Sequence, residues 1–165
     1  MSADGIALKE LLADNKAGTE KWKAWFAANP AALDVSCDIY NSGTVRGFLK
    51  HIFAVELRHS QRLRNQEVTA YDAISADSSE ELFRIHDQAV RNLEQFLSTA
   101  NDATLQEVIS LQTVSAGTIQ ASRRKLCVHI LLHSIRHWAQ MTTLLRANRF
   151  KTDWPKDFLF SEAVR

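Results

Sequence analysis

Residues 123–150 read RRKLCVHILLHSIRHWAQMTTLLRANRF. The stretch holds no Gly or Pro, and its apolar residues recur at helical spacing. A helix from about Ala121 to Arg149 would be about 40 Å long at 1.5 Å per residue. On a wheel of 100° per residue with Leu126 at 0°, Ile130 falls at about 40°, Met141 at about 60° and Leu144 at about 0°, which marks a core-facing arc. His133, at about 340°, and His137, at about 20°, lie inside that arc, with Gln140 at about 320° and His129 on its shoulder at about 300°.

Imidazoles buried without partners cost about 1–3 kcal/mol each. A lone core histidine is ordinarily a hydrogen-bonded structural residue, but a pair in one stripe asks for a common cause. Side chains four apart on a helix stand about 5–6 Å apart, so both rings can converge on one ion at about 2.0–2.1 Å. A tight site then needs a third ligand from another helix.

Three more helices are expected. The first runs from about Ile6 to Ala28 and stops at Asn29-Pro30, because the residue before proline avoids the helical region. The second runs from about Gly43 to Asn65 behind an Asn41-Ser42 cap, with Val45, Phe48, Leu49, Ile52, Val55 and Leu63 as its stripe. Ser78 and Ser79 cap the third, whose Glu80 and Glu81 suit the positive first turn and which ends near residues 99–102. Residues 103–120 are rich in β-branched side chains and fit either a short hairpin or an irregular connection. Four helices of similar length make an all-α four-helix bundle, read as a single domain over residues 1–165.

The second helix, with His51, Glu56 and His59, supplies candidates for the third ligand. With Val45 at 0°, His59 at about 320° and Glu56 at about 20° fall in the apolar arc, while His51 at about 240° is at its edge. Periodicity alone therefore selects His59. Glu56-Leu-Arg-His59 is also a Glu-x-x-His motif, but it occurs once and the last helix has no glutamate near its histidines, which argues against a di-iron carboxylate site. No His-Glu-x-x-His exists, which argues against a zincin.

Composition narrows the class. Five Gly and two Pro in 165 residues leave too few turn-formers for a many-stranded sandwich or barrel. Twenty Lys and Arg against 19 Asp and Glu give a net charge of +1, without the basic excess that nucleic-acid binding draws on. Cys37 and Cys127 form no CxxC and read as reduced thiols of a cytoplasmic protein. The charged start shows no signal-peptide apolar region, and no run of about 18 apolar residues suggests a membrane span. Arg123-Arg124-Lys125 reads as a solvated face, His86 as a surface residue, and Cys127 as a small buried hydrophobe. Cys37 has no basic neighbour to make it a nucleophile. Val128, Leu131, Leu132 and Ile135, on the far side of the last helix from the histidines, suggest a covered second face and hence a homodimer.

Three segments together resemble the DinB/YfiT-like superfamily of small helical bundles: His51-Ile-Phe-Ala-Val-Glu56, the run His129-x-x-x-His133-x-x-x-His137-Trp-Ala-Gln140-Met, and Trp154-Pro-Lys-Asp157. The Arg-Gly that usually precedes the glutamine is Trp138-Ala139 here. The resemblance implies a divalent metal, commonly zinc or nickel, on His51, His133 and His137, with His59 the alternative in the second helix. Glu56 and Gln140 would then orient the ligand rings. It further implies a metal-dependent thiol S-transferase or a hydrolase, with a small-molecule thiol or electrophile as partner and a pocket near His51 and Tyr71. The competing reading is a non-catalytic, metal-stabilised bundle, or a stress-related scaffold whose histidines satisfy one another.

Overall fold

The computed structural model describes residues 7–113 and 117–164. Ile6, where the first helix was expected to begin, and residues 114–116 of the ambiguous segment lie outside the described residues. Four long helices make up the bundle: α1 (Leu8–Ala28), α2 (Val45–Leu63), α3 (Ser79–Thr99) and, after a one-turn α4 (Asp102–Gln106), α5 (Arg123–Ala147). Helix α2 packs between α3 and α5, and α1 closes the bundle against the same two helices. Among the described residues no helix is long and apolar enough to cross a membrane.

The ends follow local chemistry. Helix α1 stops at Ala28, directly before Asn29-Pro30, as the proline requires. Ser78 caps α3 by accepting from the Glu81 N–H at 3.1 Å. The cap of α2, however, is Thr44, whose hydroxyl accepts from the Gly47 N–H at 3.3 Å; Asn41 and Ser42 lie before it in a tight turn. That correction has a steric cause. Thr44 pairs with Ser36 in a two-stranded ribbon of β1 (Ser36–Cys37) and β2 (Gly43–Thr44), which fixes where the helix can begin. A Cβ at Gly47 would come within 2.2 Å of the Ser42 carbonyl oxygen, so only glycine lets the turn lie across the start of α2.

The ambiguous segment resolves into α4 and an antiparallel hairpin, β3 (Val108–Thr113) with β4 (Gly117–Ser122), in the register Val108 to Ser122 through Thr113 to Gly117. Its inward positions, Leu111 and Ala121, are buried against α5 and the end of α2. Strand β4 runs straight into α5 through the Ser122 cap.

Arg123 corrects the reading of a solvated basic face. It is buried, holds Glu107 at 2.9 Å through Nε, and donates to the Leu63 carbonyl and to Asn65 Oδ1, so it ties the C-terminus of α2 to the hairpin. A guanidinium with five fixed donors suits such a junction. Arg124 and Lys125 remain exposed.

The core divides into two main apolar clusters. One gathers Trp22, Phe26, Phe48, Ile52, Phe83 and Met141; the other gathers Leu12, Leu63, Leu93, Leu126 and Ile130. Trp22 stacks on Trp138 with ring centroids 5.0 Å apart and meets Trp154 edge-on at 5.2 Å, which pins the C-terminal tail to the bundle. Leu131 is buried in the second cluster, so the expected outer face of α5 reduces to exposed Leu132 and Ile135 with half-buried Val128.

A three-histidine candidate metal centre

On α2, burial spans the side facing α3 and turns a half-buried edge toward α5; His51 sits on that edge. On α5, His133 (8% exposed) and His137 (fully buried) occupy successive turns of the facing side. One ring nitrogen from each of His51, His133 and His137 lies within 4.8 Å of the other two. The ring centroids are 5.1 Å apart for His51 with either partner and 4.2 Å apart for His133 with His137.

His59 is not part of the cluster. Two turns farther along α2, its ring meets His129 edge-on at 5.4 Å, and His129 in turn faces His133 at 5.5 Å. The helix-two residue brought to the pair on α5 is thus His51, at the edge of the apolar arc and not inside it.

Hydrogen bonding fixes how His137 is presented. Its Nδ1–H donates to Gln140 Oε1 at 2.6 Å, so in the neutral ring Nε2 carries the lone pair. That Nε2 faces His133 Nε2 at 3.0 Å. Two nitrogens each about 2.1 Å from a tetrahedral ion stand about 3.4 Å apart, so a small opening of this contact admits one. His51 Nε2 is buried and has no hydrogen-bond partner among the described residues, an unmet polar atom that an ion would satisfy.

Burial holds the rings neutral, as ligands must be. Desolvation, with a smaller contribution from His137, lowers the His51 pKa from 6.5 to about 4. Desolvation and then the neighbouring imidazoles lower that of His133 to about 2. His137 is also lowered by burial, with its bond to Gln140 working the other way. The three residues therefore fit a metal ion, to which each would offer one neutral ring nitrogen.

Tyr40 also meets the cluster, and sequence reading did not single it out. Its ring stacks on His51 at 4.8 Å, nearly parallel, and meets His137 edge-on at 5.2 Å. Tyr40 and Asn41 both hold left-handed backbone (φ 53° and 55°), with Gly43 at 72°, and this strained turn places the ring over the histidines. The available signal was the run Asp38-Ile-Tyr-Asn-Ser-Gly43, dense in turn formers just before a helix carrying a candidate ligand. Tyr71, the expected pocket residue, instead lies under the Lys50 ammonium.

Among the described residues Glu56 makes no hydrogen bond to the three histidines. It is buried, accepts from His86 Nδ1 at 2.6 Å and from the Ser134 hydroxyl at 2.5 Å, and so joins α2, α3 and α5. His86, expected at the surface, is 2% exposed. It stands three residues after Phe83 and four before Val90, both buried, and that spacing marked it as a core position. Neither cysteine offers a nucleophile: burial raises the Cys37 thiol pKa and pushes that of Cys127 up to about 12.

A cavity of about 520 Å³ opens beside the cluster, with His51 and His133 in its wall together with residues of α2, α5 and the hairpin. Comparison with known proteins agrees with the fold: the profile described as DinB family matches residues 1–148. No curated protein matches the chain.

Proposed function

The chain belongs to the DinB family, and on that premise we propose that His51, His133 and His137 hold one divalent ion, zinc or nickel, at a site that activates a thiol for transfer to an electrophile, or water for hydrolysis. The observation that carries this reading is the convergence of three ring nitrogens from two helices within 4.8 Å of one another. A bound ion of this kind supplies an open coordination position at which a thiol or water loses its proton far more readily. The chain's own residues do the rest. Gln140 sets the tautomer and rotation of His137, and Tyr40 covers one side of His51.

The S-transfer form of the reading is tested by incubating zinc- or nickel-loaded protein with low-molecular-weight thiols and a chromogenic electrophile. Turnover that disappears with a chelator and returns with the metal supports it; a rate indifferent to metal removal contradicts it. A second reading, a bundle whose histidines satisfy one another without catalysis, draws on the 3.0 Å contact between His133 and His137. It leaves the buried His51 Nε2 without a partner, which is why the metal reading is preferred.

A further inference from the structure

The cavity beside the histidines has an uneven charge. Arg58 and Arg62 of α2 and Lys125 of α5 line it, and among the described residues no carboxylate does. Among the described residues none of the three enters an ion pair, and Arg58 Nε is buried without a hydrogen-bond partner. Arg62 makes only a long contact to His59 Nδ1, at 3.4 Å, and is held below its ordinary pKa by burial and by the like charge of Arg58. Cations gathered in a half-enclosed space without counter-charge repel one another, and an anion relieves that repulsion. Arg123 beside Glu107, Lys16 beside Glu94 and Arg46 beside Asp34 show the paired alternative.

The remaining wall is apolar. Val55, Leu126 and the hairpin residues Leu111 and Ile119 contribute it, and the volume of about 520 Å³ falls in the range of roughly 300–1,000 Å³ that holds small-molecule ligands. His51 and His133 belong both to this wall and to the three-histidine cluster. A molecule in the cavity therefore has cations and apolar surface on one side and the candidate metal centre on the other.

We propose that the cavity is the substrate subsite and selects molecules with an apolar body and an oxyanion, a carboxylate or phosphate, that Arg58, Arg62 and Lys125 bind while the reacting end reaches the histidines. The oxyanion part stands on the cavity alone; the word substrate rests on the metal-centred function proposed above. Arginine suits this role because its planar fork pairs two oxygens at once.

The test separates the two parts by using full-length protein in two states, stripped by chelator and loaded with zinc, titrated by calorimetry with octanoate, octanol, octyl phosphate and 8-mercaptooctanoate. In stripped protein the carboxylate and the phosphate are expected to bind at least tenfold more tightly than the alcohol. Arg62→Gln combined with Lys125→Gln is expected to cut that preference at least threefold, Arg58 supplying what remains. Both side chains are at least partly exposed, and circular dichroism checks that the variant is folded; Lys125→Glu alone, on the exposed side chain, gives a second test with the same direction of change. Equal binding of octanoate and octanol by the stripped wild-type protein, or a preference undiminished by the double substitution, overturns the oxyanion subsite. In loaded protein the mercaptocarboxylate is expected to outbind octanoate by tenfold or more, and to lose that advantage on stripping. An oxyanion preference without any thiol advantage keeps the anion site and removes its role as the substrate subsite.

Discussion

The carboxylate of Glu56 accepts a 2.6 Å hydrogen bond from His86 Nδ1 in the middle of the bundle, with both residues 2% exposed. The Ser134 hydroxyl takes the other carboxylate oxygen, so three helices share one buried polar junction. Replacing His86 by Leu leaves the buried Glu56 carboxyl with one hydrogen-bond partner fewer, and the cost of an unmet buried polar group is about 1–3 kcal/mol. The expected result is a loss of that size in urea unfolding with metal content unchanged. Wild-type stability in His86→Leu contradicts a supporting role for the junction.

Gln140→Ala removes the acceptor that holds His137 Nδ1–H and leaves the ring free to rotate. Losing such an orienting partner typically weakens metal affinity by about 10–100-fold. Competition with a chromogenic chelator reads this directly, and unchanged affinity contradicts the role given to Gln140.

The depressed histidines make metal-free protein acid-labile in a definite window. His51 takes up a proton near pH 6.5 in the unfolded chain but only near 4 in the fold, and His133 lower still, near 2. Between those limits the unfolded state binds more protons, so stability falls as pH drops below 6.5 and levels off for His51 near pH 4. Urea midpoints of stripped protein at pH 7.5, 6 and 5 are expected to decline in that order, with a shallower decline in His51→Asn. A flat profile, or an identical slope in the variant, contradicts neutral burial of these rings.

How far this was legible in the sequence differs by element. The end of α1 at Asn29-Pro30 and the Ser78 cap of α3 rest on local backbone chemistry, and local chemistry is written in adjacent residues. The start of α2 was not, because Thr44 takes the cap through its pairing with Ser36, eight positions back in a ribbon that no periodicity marks. The histidine pair on α5 was visible from its i, i+4 spacing. The wheel misjudged α2 for a physical reason. Both rings face α5, His59 meeting His129 and His51 meeting His133 and His137, so position along the helix selects the residue and a wheel, which reads only position around it, cannot. Family resemblance pointed to His51; amphipathicity pointed to His59. Glu56 and His86 show a related limit, since a buried polar pair across helices looks, in one dimension, like an apolar stripe with two exceptions.

Leu132 and Ile135, 51% and 39% exposed on α5, are what remains of the apolar outer face read from the sequence. We expect a homodimer packed on them. Sedimentation at micromolar concentration checks it: a dimer that becomes a monomer in Leu132→Lys with Ile135→Lys agrees, and a wild-type monomer contradicts it.

The proposed site needs imidazoles from α2 and α5 to close around one cation. The most direct measurement is elemental analysis of protein purified without a histidine tag, incubated with zinc or nickel and desalted. About one divalent ion per chain, lost in His137→Ala and in His51→Ala but kept in His59→Ala, is the result expected. Absence of metal from the wild-type protein, or retention of a full equivalent in His51→Ala together with its loss in His59→Ala, contradicts the account.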